Sequence, residues 1–228
     1  MGHPPNGNGI ARHVCAGALA LGVTVAVPAF AEPLTDAVGA CQGAASREAA
    51  VAALVGAGFA PIVEADAEAI FALYTAPRLH VLASGDALDG LTEAEETALV
   101  DLYRSEFEQR ARKARLHVRQ ASQMPRFLSP DGQVFVVASE GLSPTGTLTA
   151  MCEVWSAADP AFDARIAGLS RATPSGLAPD WSEEFVTARP DGGIVRALRF
   201  DQQRFQQTFA APLGAAVHFT ILGRPPVG

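Results

Sequence analysis

The chain has 228 residues, is 49% apolar and carries a formal net charge of -7. That composition excludes a disordered chain and fits one globular domain plus an export segment. The first 31 residues hold one arginine and no acid, so the remainder carries -8, and a body without a basic footprint is excluded as a general nucleic-acid binder. Lys113 is the only lysine and no asparagine follows Asn8. We read this skew as that of a GC-rich bacterial genome.

The amino terminus carries the sharpest signal. Arg12 and His13 precede an uncharged stretch from Val14 to Val27, then Pro28, then Ala29-Phe30-Ala31. A basic start, an apolar middle and small residues three and one before the cut are the parts of a cleavable signal peptide. The apolar stretch falls short of the ~20 residues a spanning helix needs. An uncleaved anchor would require Pro28 to be tolerated within a longer span. A lipoprotein would need a cysteine directly after the apolar stretch, and Cys15 stands at its start. The expectation is residues 1–31 as signal peptide and 32–228 as a single domain, periplasmic or secreted, with no membrane span after cleavage.

Cys15 leaves with the signal, so Cys41 and Cys152 remain as an even pair in an exported chain and are expected to form a disulfide. The alternative is two buried thiols. The absence of a C-x-x-C string from the sequence argues against a thioredoxin-type redox role.

Along the mature chain, residues 34–121 read as helical. Leu34 to Ala45 forms one short helix carrying Cys41. Ser46 caps the next, which Gly56 and Gly58 end. Asp66 to Tyr74 reads as a further helix, Leu79 to Ala83 as a short strand and Gly85 to Gly90 as a turn. The longest element is expected from about Thr92 to Ala121, opened by a Thr92–Glu95 capping box. Leu99, Tyr103, Phe107, Ala111, Ala114 and Val118 make one apolar stripe on it. Acids gather at its start and arginines at its end, matching the helix dipole.

From Arg126 the period changes to two, and 126–222 reads as sheet-rich. Pro130-Asp131-Gly132 turns one hairpin, and a second Pro-Asp-Gly turns another between Glu183 and Phe200. Val134 to Ala138 is apolar on both faces, as in a central strand. Leu148, Ala150, Cys152 and Val154 share one face, with Trp155 on the other. Asp159-Pro160 is expected to open a helix through Leu169, Asp201 one through Phe209, and Ala215 to Leu222 to alternate as a last strand. The fold class is α+β: N-terminal helices, including one long amphipathic helix, packed on a largely antiparallel C-terminal sheet.

Chemistry is hard to find. His80, His117 and His218 stand in different elements without metal-ligand spacing. Gly141 to Gly146 fails the nucleophile-elbow pattern, and Pro144 lacks the backbone N–H an oxyanion hole needs. Neither a P-loop nor a dinucleotide fingerprint occurs. No catalytic, cofactor-binding or metal residue is therefore assigned, and no cofactor is expected. Arg104, Arg112, Arg115 and Arg119 form one stripe on the long helix, a candidate surface for an anionic partner or membrane and equally a salt-bridged helix face. Trp155 and Trp181 are candidates for a ligand groove or for sealing a sheet edge. The functional expectation is a non-enzymatic exported binding or envelope accessory protein with an unknown protein or small-molecule partner. The alternative is an exported, hydrolase-like enzyme whose residues converge only in three dimensions.

Overall fold

A computed structural model describes residues 32–66, 125–143, 145–172, 181–187, 192–209 and 213–224, with isolated helical positions between 70 and 109. The chain divides into two units between Phe30 and Ala31, and all that follows concerns the second. Helix α1 spans Pro33–Gly43 and α2 spans Arg47–Gly56. Proline in the first turn of α1 costs nothing, because that N–H has no partner inside a helix. Ser46 caps α2 as its sequence predicts, its hydroxyl oxygen accepting the Ala49 N–H at 3.2 Å. Beside it, a backbone hydrogen bond and then Arg47 hold the Glu48 carboxyl below its ordinary value.

Among the described residues, eight strands follow α1 and α2: β1 (Ala60–Pro61), β2 (Arg126–Leu128), β3 (Val134–Leu142), β4 (Leu148–Ser156), β5 (Ser170–Arg171), β6 (Ser182–Val186), β7 (Gly193–Phe200) and β8 (Val217–Leu222). Helices α3 (Phe162–Arg165) and α4 (Gln202–Phe209) stand between strands. The strands form one antiparallel sheet in the order β1-β2-β3-β4-β8-β7-β6-β5. The final strand thus enters between β4 and β7 and joins two meanders into one sheet.

Both strand pairs expected beside the Pro-Asp-Gly turns form, β2 with β3 and β6 with β7. In the first turn Gly132 adopts φ +71°, which glycine takes without steric cost. Ser129 closes that turn, accepting the Val134 N–H on its hydroxyl at 2.9 Å. Strands β1 and β5 were not foreseen. Each has two residues at a sheet edge, too short to show a periodic pattern and consistent with the short edges that blunt unwanted pairing.

The sheet is buried on both faces. On one, Val136, Cys152, Val154, Ala197, Phe219 and Ile221 pack under Leu34, Ala37, Cys41, Ala50 and Leu54 of α1 and α2, with Phe162 and Ile166 beside them. On the other, Phe135, Trp155, Leu198 and Phe200 pack with Ile62, Ile70, Leu73, Trp181, Phe205 and Leu213. The α+β class and the antiparallel sheet are as expected, and Val134 to Ala138 is buried throughout, as a strand with two covered faces must be.

Several expectations change. The helix after Asp159-Pro160 is one turn, Phe162–Arg165, not a run to Leu169. Asp159 spends its carboxylate on the Ala161 N–H at 3.0 Å and on Arg165, and the chain turns at Leu169, whose N–H donates to Ile166. Leu148 shares the face of Cys152 by parity yet is 59% exposed, because it lies beyond the helices that cover that face. Trp155 and Trp181 are each only 2% exposed. They belong to the second core rather than to a groove or an edge.

The long helix expected over 92–121 lies largely outside the described residues, as do the strand at 79–83 and the turn at 85–90. Ala94, Thr97, Ala98, Asp101, Leu102, Ser105 and Gln109 are helical and exposed.

The C-terminal end is threaded tightly. Gly223 donates its N–H to Ala150 at 2.8 Å, and a Cβ built there would collide with the Ala44 carbonyl. Only glycine lets the chain pass so close to the end of α1.

Candidate functional site

Cys41 of α1 and Cys152 of β4 are joined, their Cα atoms 6.0 Å apart across a sequence separation of 111. Both are fully buried. The bridge ties the first helix to an inner strand, and parity in β4 aims Cys152 at that helix, as its sequence predicts.

Salt bridges extend this fastening around α3. The Asp159 carboxylate is wholly buried, and Arg165, 13% exposed, donates to it at 3.1 Å. Arg165 also reaches Thr35 at 2.8 Å and Glu32 at 3.5 Å. Nearby, Arg199 bonds Glu183 at 2.9 Å and Asp163 at 3.0 Å, and its guanidinium lies 5.1 Å over the Phe162 ring. The hydrogen bond from Arg199 to Glu183 first, then the Glu183 and Asp163 charges, raise the Arg199 pKa further, against the effect of burial. Arg171 completes the chain at 2.7 Å from Glu183.

The residues weighed for chemistry fall out as follows. His218 is 3% exposed and stacks on Trp155 with ring centroids 4.6 Å apart, in the second core. His80 and His117 lie outside the described residues, as do Arg104, Arg112, Arg115 and Arg119. Ser143 serves its own turn: its hydroxyl accepts the Thr147 N–H at 3.1 Å and meets the Thr145 hydroxyl at 2.8 Å. Among the described residues, no group of three His, Cys, Asp or Glu is placed to hold a metal ion. No helix of the described residues is long and apolar enough to cross a membrane.

Register exposes two features that composition and motif do not. First, Val137, Glu153, Thr220 and Arg196 stand opposite one another across β3, β4, β8 and β7, with Arg126 of β2 opposite Val137. This polar row lies on the second face, one step along the strands from Trp155, His218 and Leu198. Arg196 donates to Glu184 at 2.7 Å, each side chain about a quarter exposed at 28% and 26%. A carboxylate, a hydroxyl and a guanidinium beside an aromatic core can orient a small polar ligand. The signal in the sequence is a polar residue at a period-two position in each of three largely apolar strands.

Second, the β3–β4 pairing ends on an exposed apolar pair. Strand β2 pairs β3 only as far as Val137, and β8 pairs β4 only from Met151 onward. Beyond them stand Leu142 and Leu148, opposite each other and 65% and 59% exposed. No family model matches the chain, no curated protein matches it, and no solved structure matches it.

Proposed function

We propose that the protein is exported to the periplasm or beyond and acts there as a non-enzymatic binding or envelope accessory protein. The buried Cys41–Cys152 bridge is compatible with an oxidising compartment, where such bonds persist, and the leader before Glu32 supplies the route. The observation that carries the binding role is the exposed Leu142–Leu148 pair at the end of the β3–β4 pairing. Apolar side chains held in water at a hairpin tip bring no gain to the fold and suit a contact with another molecule. Replacing Leu142 with lysine and Leu148 with glutamate, opposite charges across the pair, is expected to leave the unfolding free energy within about 0.5 kcal/mol of the parent, since neither is buried. The same change is expected to abolish co-purification of envelope partners after cross-linking. An unchanged set of cross-linked partners would remove the hairpin from the account.

The polar row favours a second reading, an exported enzyme of hydrolase type, with Glu153 as the acid-base group and Thr220 and Arg196 orienting substrate. Loss of a measured hydrolysis in Glu153→Gln, with folding intact, would select this reading over the first.

A further inference from the structure

We infer that the end of the β3–β4 pairing docks on a lipid surface of neutral headgroups, with the Leu142 and Leu148 side chains entering the layer where headgroups meet acyl chains. The inference rests on the binding reading above and names its partner. Leu142 and Leu148 stand opposite each other in the last pair of the ladder, so both side chains leave the same face of the sheet. They are 65% and 59% exposed. Between Glu140 and Glu153 the sequence holds no charged residue, in a chain that is 18% charged. Thr145, Gly146 and Thr147 are the other exposed residues of this end.

A segment can leave water only if its backbone groups already have partners. Here they do. The Ser143 N–H donates to the Thr147 carbonyl and the Gly146 N–H to the Ser143 carbonyl, each at 2.8 Å. The Thr147 N–H donates to the Ser143 hydroxyl at 3.1 Å. That hydroxyl meets the Thr145 hydroxyl at 2.8 Å, which in turn meets the Thr147 hydroxyl at 3.3 Å. The turn satisfies these groups within itself, so entering the edge of a bilayer strips little water from them.

Area and charge select the occupant. A stable protein interface buries about 800 Å² on each partner. Two leucines and three small residues supply only a fraction of that, which argues against a second copy of the chain. A lipid surface needs no matching shape, since the gain is the apolar area taken out of water. Glu140 sets the depth. It is exposed and lies two residues from Leu142 on the same face of β3, about 7 Å back along the strand. It stays in water while the leucines reach the outer layer, about 5–10 Å deep. The chain beyond residue 31 carries -8, so zwitterionic headgroups suit it and anionic ones repel it.

Tryptophan emission tests this locally. The chain's two tryptophans, Trp155 and Trp181, are each 2% exposed, so vesicles leave their emission unchanged. Leu142→Trp adds one reporter beside Leu148, and Val55→Trp adds one on α2 at a position that is 53% exposed. Each protein, as recovered from cells, is titrated with vesicles of phosphatidylcholine alone. The emission of Leu142→Trp is expected to shift to the blue and that of Val55→Trp to stay in place. Adding Leu148→Glu to Leu142→Trp is expected to weaken partition on the order of tenfold, the factor a leucine side chain gains on leaving water. Vesicles containing phosphatidylglycerol are expected to bind less well at low salt. An unshifted Leu142→Trp spectrum overturns the inference, as does an equal shift in Val55→Trp or tighter binding to the anionic vesicles. The binding reading fails separately, if the Leu142→Lys, Leu148→Glu chain keeps every cross-linked neighbour of the parent. An unshifted spectrum with those neighbours lost leaves the binding reading standing and makes the partner a protein.

Discussion

Arg165 shows how one side chain carries several elements. It neutralises the wholly buried Asp159 carboxylate and bonds two residues at the start of α1. Arg171 makes a shorter ion pair, 2.7 Å to Glu183, yet is 65% exposed. Burial rather than distance decides which matters, because an uncompensated charge is costly only where water cannot replace the partner. Arg165→Ala is expected to cost roughly 3–5 kcal/mol in urea unfolding, and Arg171→Ala less than about 1 kcal/mol. Equal losses would contradict this ranking. Nothing in the sequence near Arg165 announces the role, since its partners lie six and more than a hundred residues away. Ser46 is the opposite case: its capping bond spans three residues, and local sequence foretells it.

At the scale of the element, the bridge between α1 and β4 governs the first helix. Helix α1 has eleven residues, too short to hold its shape alone in water. Its stability comes from the buried stripe of Leu34, Ala37, Val38 and Cys41 and from the cross-link. Closing a loop with a sequence separation of 111 removes unfolded-state entropy equivalent to about 4–5 kcal/mol. Cys152→Ser, compared with the oxidised parent in urea, is expected to lose about that much. A loss below about 1 kcal/mol would show that packing alone seats the helix. The bridge was legible because only two cysteines follow residue 31 and β4 alternates, so parity aims Cys152 inward. The truncation of α3 was not legible, because it follows from what Asp159 bonds in three dimensions.

For the whole molecule, the decisive element is the last. Strand β8 pairs with β4 on one side and β7 on the other, so the sheet closes only after nearly all of the chain is present. Its residues face both cores, with Phe219 and Ile221 on one side and His218 on the other. Ending the chain after Gly214 is expected to abolish cooperative unfolding, because it splits the sheet into two meanders that each leave an open edge. A truncated chain that still melts cooperatively would refute the central place given to β8. The sequence shows the longer strands by their period and the two Pro-Asp-Gly hairpins by their turns, while β1 and β5 are too short to show either. It cannot show that β8 enters the middle, because strand order rests on pairings between residues far apart in the chain, and for the same reason the polar row of Glu153, Thr220 and Arg196 stays hidden until register is known.

Intact-mass measurement of the protein recovered from native cells, before and after reduction, bears most directly on export with oxidation. The account predicts a chain of residues 32–228, found outside the cytoplasm and lighter by two hydrogens before reduction than after. A full-length chain with free thiols in the cytosolic fraction would contradict it.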